Sequence, residues 1–249
     1  MRCLRPHRKL STMTTNILIH GASGRMGRAL LRLATGDPRF QVVAAVIGRS
    51  LPALDALSIP VFGPEQLGNT PNFDVAIDFS QPDGFDAILD HCLARNAALV
   101  SGTTGLSAGQ QQRLTDAANR IPVLWAANFS VGVAVLQDLL VRASAALQGW
   151  DVDIVEAHHS GKKDAPSGTA LALGQAVQRG GGKAPHYASL RAGDIVGEHT
   201  VQFTGIGERL ELSHRASNRD IFARGALEAA QRLVGMSAGS YRLAELIFR

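Results

Sequence analysis

The chain has 249 residues, 45% hydrophobic and 18% charged, enough to build a packed core and too apolar for a disordered chain. No apolar run approaches the roughly 20 residues that a bilayer span needs, so no membrane partner is expected. The net charge of +4 points to no nucleic-acid partner, because Arg2, Arg5, Arg8 and Lys9 supply all of it: the 25 Lys and Arg less these four leave 21, equal to the 21 Asp and Glu.

Cys3 and Cys92 lie far apart and lack metal-type spacing. Neither a disulfide framework nor a metal site is expected, and a reducing, cytoplasmic setting fits. Residues 1–12 are Arg-rich and acid-free without the apolar core of a secretory signal, and read as a disordered extension ahead of Met13.

The first strand is Asn16 to His20, and it runs into Gly21-Ala22-Ser23-Gly24-Arg25-Met26-Gly27 ahead of an amphipathic helix bearing Leu30, Leu31 and Leu33. Strand, glycine turn and helix form the context of a dinucleotide fingerprint, here with the variant spacing G-x-x-G-x-x-G. The glycines let backbone approach a pyrophosphate, and the helix N-terminus faces it. A second strand, Gln41 to Ile47, ends in Gly48-Arg49-Ser50 with no carboxylate to meet a ribose 2′-hydroxyl. Arg49 suits a 2′-phosphate instead.

The alternation continues with a strand over Phe73–Phe79, a helix over Gly84–Arg95 and a strand over Ala98–Ser101 leading into Gly102-Thr103-Thr104-Gly105. Ser107 and Gln110 form a capping box for a helix to Asn119, and a strand at Val123–Ala126 runs into Ala127-Asn128-Phe129-Ser130. Repeated βα units predict an α/β fold with a doubly wound parallel sheet and a ligand cleft at the strands' C-terminal ends. After about residue 131 the pattern changes. A helix over Val133–Leu147 precedes strands at Asp151–Glu156, Tyr187–Arg191, His199–Thr204 and Arg209–His214, which predict a second, α+β domain on a mixed or antiparallel sheet. Gly180-Gly181-Gly182 reads as a flexible loop. Helix returns over Phe222–Val234, so residues 13–129 and 217–249 are expected to form the dinucleotide-binding domain and 130–216 the substrate-binding and oligomerisation domain, with hinges near Phe129 and Ser217.

Residues 156–170 carry the densest chemistry: Glu156-Ala-His158-His159-Ser-Gly-Lys162-Lys163-Asp164-Ala-Pro166-Ser167-Gly168-Thr169-Ala170. Two imidazoles and a lysine can move protons and hold carboxylates near neutral pH. The helical pattern that follows places free N–H groups as a cradle for an anion. Lys163 and Asp164 read as solvated loop charges without a chemical role. A proton donor, a cation and an anion hole together suggest an enzyme for a small acidic substrate.

With these motifs, and with Arg191-Ala-Gly-Asp-Ile-Val-Gly-Glu-His199, the chain resembles the 4-hydroxy-tetrahydrodipicolinate reductase (dihydrodipicolinate reductase) family from about Asn16 to its C-terminus. The resemblance implies a homotetrameric NAD(P)H-dependent oxidoreductase of lysine and diaminopimelate biosynthesis, with an N-terminal Rossmann domain. By that resemblance His158 is the general acid/base and Lys162 the proton donor, while His159, Gly168 and Thr169 contact a cyclic dicarboxylate. Gly21, Ala22, Ser23, Gly24, Arg25, Met26, Gly102, Thr103, Thr104, Ala127, Asn128 and Phe129 contact the nucleotide, with Arg49 added from the residue reading and NADPH favoured over NADH. Two other readings compete: another two-domain nicotinamide-dependent dehydrogenase acting on a small carboxylate, and a nucleotide sensor without catalysis. The intact His158–Thr169 block argues against both.

Overall fold

A computed structural model describes residues 14–48 and 58–248 of the protein. The proposed extension at 1–12 and Arg49 lie outside the described residues. The chain runs β1 (Thr15–His20), α1 (Arg25–Thr35), β2 (Phe40–Val46), β3 (Val61–Phe62), β4 (Val75–Asp78), α2 (Pro82–Arg95), β5 (Ala98–Ser101), α3 (Ala108–Ala117) and β6 (Pro122–Trp125). It continues through α4 (Val131–Ala146), β7 (Asp151–His158), α5 (Gly168–Arg179), β8 (His186–Arg191), β9 (Glu198–Gly205) and β10 (Glu208–Arg215). The last elements are α6 (Asp220–Leu233), β11 (Gly239–Tyr241) and α7 (Leu243–Ile247).

Seven strands form a parallel sheet in the order β11-β6-β5-β4-β1-β2-β3. Both faces are covered, which explains why its strands read as unbroken apolar runs. Ile17, Ile19, Ile77 and Val100 pack beneath α1, α6 and α7. Leu18, Ala76, Leu99 and Val123 pack beneath α2 and α3, against Phe85, Ile88, Leu89 and Cys92. The strand order reverses between β1 and β4, the switch point where α/β sheets open a crevice at their C-terminal edge.

The second sheet has the order β10-β9-β7-β8, with β7 parallel to β8 and antiparallel to β9. It is mixed, as the alternating pattern predicts. Its inner face, with Val152, Ile154, Val201 and Phe203, packs on Leu136 and Leu140 of α4 and Leu173 and Val177 of α5. Among the described residues no helix covers the opposite face, and Val155 and Leu190 stand exposed there.

The Ser107–Gln110 box caps α3 reciprocally, as expected. The edge strands β3 and β11 have no sequence counterpart, since two or three residues cannot display a period. The glycine triplet is more closed than a flexible loop. Gly180 N–H and Gly182 N–H both return to Val177 O, at 3.1 and 3.0 Å, and the turn abuts Val141 and Ser144 of α4.

Candidate active site

At the end of β1 the chain turns through Gly21 with φ +77°. A Cβ there would lie 2.5 Å from Phe79 O, so only glycine fits. Gly27 lets α1 sit directly on this turn, because a Cβ would strike the backbone of Gly21 and Ala22. α1 starts at Gly24 without a side-chain cap and with no acidic residue in its first turn. Its first N–H groups therefore remain open to an anion, and the turn fits the diphosphate of a dinucleotide. Gly24 and Arg25 are exposed, whereas Ser23 and Met26 are half-buried. Ala22 is fully buried and spends its N–H on Val46 O at 3.0 Å. Arg25, Arg28, Arg32 and Arg219 line a cleft of about 480 Å³ between the starts of α1 and α6.

Across the switch point, buried Asp78 organises the neighbouring loops. Its Oδ2 accepts from Ser101 Oγ and Thr103 Oγ1, both at 2.8 Å, and its Oδ1 contacts His20 Nδ1 at 2.8 Å and accepts from Ser80 N–H at 3.1 Å. Burial pushes its pKa up, yet the hydrogen bonds from His20, Ser80 and Ser101 outweigh this and hold it below the ordinary carboxylate range. Gly102 passes so close to the Phe79 ring that any side chain would overlap it, and Trp125 Nε1–H donates to Thr103 O at 2.8 Å. Thr104 and Ala127 are exposed, Asn128 is half-buried, and Phe129 is buried with its ring centroid 5.4 Å from that of Phe79. Ala22 and Phe129 thus have only backbone to offer a nucleotide.

The 156–170 block spans the end of β7, a loop and the start of α5. Glu156 and His158 are two residues apart on a strand and so share a face, the one turned toward α5. The Glu156 side chain is fully buried; its Oε2 lies 2.5 Å from His158 Nδ1. The same oxygen accepts from Arg191 Nη1 at 2.9 Å, while Oε1 accepts from Arg191 Nη2 at 2.7 Å and Ser167 N–H at 3.1 Å. Burial raises the Glu156 pKa, but Arg191, then Ser189 across from it on β8, His158 and the Ser167 N–H together bring it down to about 2. Burial holds the His158 pKa below its ordinary value against the opposing pull of Glu156, with smaller contributions in the same direction from the Lys162 and Arg191 charges. His158 is therefore neutral at pH 7. With its proton on Nδ1 facing the carboxylate, Nε2 is the free, basic atom.

His159 is half-buried, and Lys162 Nζ donates to Asp164 Oδ1 at 2.7 Å. Asp164 is thus a partner of Lys162, not a purely solvated charge. Ser167 caps α5 through Ala170 N–H at 3.2 Å, leaving Gly168 exposed and Thr169 half-buried in a first turn free of acidic residues. Thr169 Oγ1 accepts from Asn128 Nδ2 at 2.9 Å. One hydrogen bond therefore joins the loop after β6 to the helix start beside the histidines.

Two histidines to which sequence reasoning assigned no role support the helix caps. His199 on β9 and His214 on β10 stand directly opposite each other, and their Nε2 atoms contact the cap hydroxyls of Ser167 and Ser130, each at 3.2 Å. Burial and the neighbouring His158 push the His199 pKa down to about 4. The i, i+2 spacing of Glu156 and His158 was a usable signal. The contributions of Arg191, His199 and His214 depend on sheet register, which the sequence does not display.

Residues 15–129 match the family described as dihydrodipicolinate reductase, N-terminus, and residues 132–247 match dihydrodipicolinate reductase, C-terminus. The chain is 63% identical to a 4-hydroxy-tetrahydrodipicolinate reductase of Stenotrophomonas maltophilia (strain R551-3), over 93% of this chain and 97% of that protein. It is 60% identical to the 4-hydroxy-tetrahydrodipicolinate reductase of Xanthomonas axonopodis pv. citri (strain 306), over 96% of this chain and all of the relative. In fold it is similar to a dipicolinate-bound dihydrodipicolinate reductase from Paenisporosarcina sp. TG-14, with a TM-score of 0.80, 24% identity, and coverage of 94% of this chain and 99% of that one. With both halves matched in order and relatives at 60–63% identity along nearly the whole length, the chain belongs to the dihydrodipicolinate reductase family.

Proposed function

We propose that this enzyme reduces 4-hydroxy-tetrahydrodipicolinate, or the dihydrodipicolinate formed from it by loss of water, to tetrahydrodipicolinate in lysine and diaminopimelate biosynthesis. The observation that carries the reading is the Asn128–Thr169 hydrogen bond of 2.9 Å. It ties the nucleotide-side edge of the parallel sheet to an anion-ready helix start next to a neutral, oriented histidine. A reductase of a small dicarboxylate needs these three elements in one place.

The glycine turn from Gly21 to Met26, with Gly102 to Thr104 and Ala127 to Phe129, holds the dinucleotide. When bound, the reduced nicotinamide supplies hydride to the ring. Thr169 and the N–H groups next to Gly168 hold one substrate carboxylate, and His159 contacts the dicarboxylate as well. His158 presents Nε2 to accept and return a proton, and Lys162, kept in place by Asp164, donates the proton that completes saturation. Both NADPH and NADH serve, with NADPH preferred. No carboxylate follows β2 at Ile47 and Gly48 to receive a ribose diol, and Arg25 adds positive charge near the start of α1.

We further infer that 13–129 with 217–249 form the nucleotide domain and 130–216 the substrate domain. The uncovered face of the four-stranded sheet, with Val155 and Leu190 exposed, is the surface through which copies assemble into a homotetramer. Among the described residues no helix is long and apolar enough to cross a membrane. NADPH oxidation with freshly generated substrate tests the reading. His158→Gln and Lys162→Ala should each lower turnover about 10²-fold or more. Near-full turnover in either variant at saturating substrate would remove its assigned role.

A further inference from the structure

Glu156 is the one fully buried carboxylate of the 156–170 block, and every acceptor direction it offers is used. Each oxygen takes one arm of Arg191. The remaining capacity of Oε2 goes to His158 Nδ1, and that of Oε1 goes to the Ser167 N–H at the cap of α5. Arg191 in turn reaches the loop between these points, donating to Asp164 O at 2.6 Å. The parallel register of β7 and β8 pairs His158 with Arg191 directly.

We infer that Glu156 and Arg191 are positioning residues: together they lock His158 with its proton on Nδ1 and Nε2 free, and set it against the carboxylate-binding start of α5. This inference rests on the function proposed above for His158 and Thr169. Two physical points support it. A buried carboxylate facing a histidine alone favours the imidazolium, whereas a bidentate guanidinium supplies the opposite charge and lets the imidazole stay neutral. An amide cannot replace the carboxylate, because it has one acceptor oxygen for two sets of donors. Its NH₂ would face either His158 Nδ1, forcing the proton to Nε2, or Ser167 N–H, leaving a buried donor unpaired.

The other groups near His158 are Lys162 from the loop, itself paired with Asp164, and His199 from β9, whose ring is 5.2 Å away edge-on. His214 of β10 lies one strand further. None of these makes a hydrogen bond to His158 Nδ1. The burial and the Lys162 charge that lower the His158 pKa persist when Arg191 is changed, so the contribution of Arg191 is separable.

The test is ¹⁵N-resolved imidazole NMR of the resting, substrate-free protein, combined with steady-state kinetics across pH. Wild-type His158 should show the Nδ1–H tautomer and remain neutral at pH 7. Arg191→Gln should raise its titration midpoint by about one pH unit or more, by removing the guanidinium and leaving the Glu156 charge to the imidazole and the Ser167 N–H. Glu156→Gln should shift the tautomer toward Nε2–H or lower kcat about 10²-fold with an accompanying rise in substrate KM. Arg191→Lys keeps charge but not the fork, so the midpoint should stay near wild type while kcat falls; this covers the case in which Arg191→Gln does not fold. An unchanged midpoint in Arg191→Gln, or wild-type kcat and tautomer in Glu156→Gln, would overturn the inference. The spectra need no substrate, so failure of the proposed reaction would leave the tautomer result standing on its own.

Discussion

Replacing Asp78 with asparagine should destabilise the protein and loosen the nucleotide edge at the same time. The side chain is fully buried and faces four partners, three at 2.8 Å and one at 3.1 Å. If the asparagine oxygen takes the Oδ1 position, the contacts to His20 and Ser80 N–H survive without the charge, whereas Ser101 and Thr103 meet an NH₂ group. Hydrogen bonds to a charged group contribute about 1.5–3 kcal/mol each, and a rotated Ser101 hydroxyl recovers roughly 1 kcal/mol by accepting from the new amide. The net loss is then about 2–5 kcal/mol. For a chain of this size each kcal/mol lowers Tm by about 2–4 °C, so the expected drop is roughly 5–20 °C. Because Asp78 also fixes Thr103 and Ser80 at the cleft, the dinucleotide Kd, followed by fluorescence titration, should rise while the substrate carboxylate site stays intact. A Tm within about 2 °C of wild type would refute the reasoning, since it would mean that the buried charge organises nothing.

Thr169→Val should raise substrate KM more than it lowers kcat, because a carboxylate contact persists from ground state to transition state; pyridine-2,6-dicarboxylate should compete with substrate, and no competition at millimolar inhibitor would count against the anion hole. Wild type should prefer NADPH, less so as salt is raised, and Arg25→Ala or Arg49→Ala should erode that selectivity; a severalfold preference for NADH would sink this expectation. Stability should fall as pH drops from 7 to 5. The His199 pKa of about 4 lies below its unfolded value, so the unfolded chain binds the extra proton first; stability is complete above about 6.5 and declines toward 4. At about 1.36 kcal/mol per unit, His199 alone accounts for about 2 kcal/mol at pH 5, and urea midpoints that do not change over this range would exclude the buried neutral histidine.

Much of the architecture was legible because it rests on local periodicity and turn chemistry. Unbroken apolar runs between helical patterns marked a parallel sheet covered on both faces, and glycines at 21, 24 and 27 marked the place where backbone must come within contact distance of backbone. The histidines, Lys162 and the α5 cap were visible as a block because 15 consecutive residues carry them. Edge strands at Val61–Phe62 and Gly239–Tyr241 were not legible, since pairing with a neighbour, and no internal pattern, makes them strands.

What only the tertiary structure decided is which groups meet. Thr169 is 41 residues from the Asn128 it binds, and Arg191 is 35 residues from Glu156. Asp164 changes from a loop charge to the partner of Lys162 through the path of the chain between His159 and Ser167. His199 and His214 face each other only in the antiparallel register of β9 and β10. Composition and spacing specify what a residue can do and which face of its own element it occupies, because those follow from covalent geometry and a repeat of 2.0 or about 3.6 residues. The partner that sets a proton on Nδ1 or Nε2 comes from another strand, and its arrival is fixed by register and packing across the whole sheet.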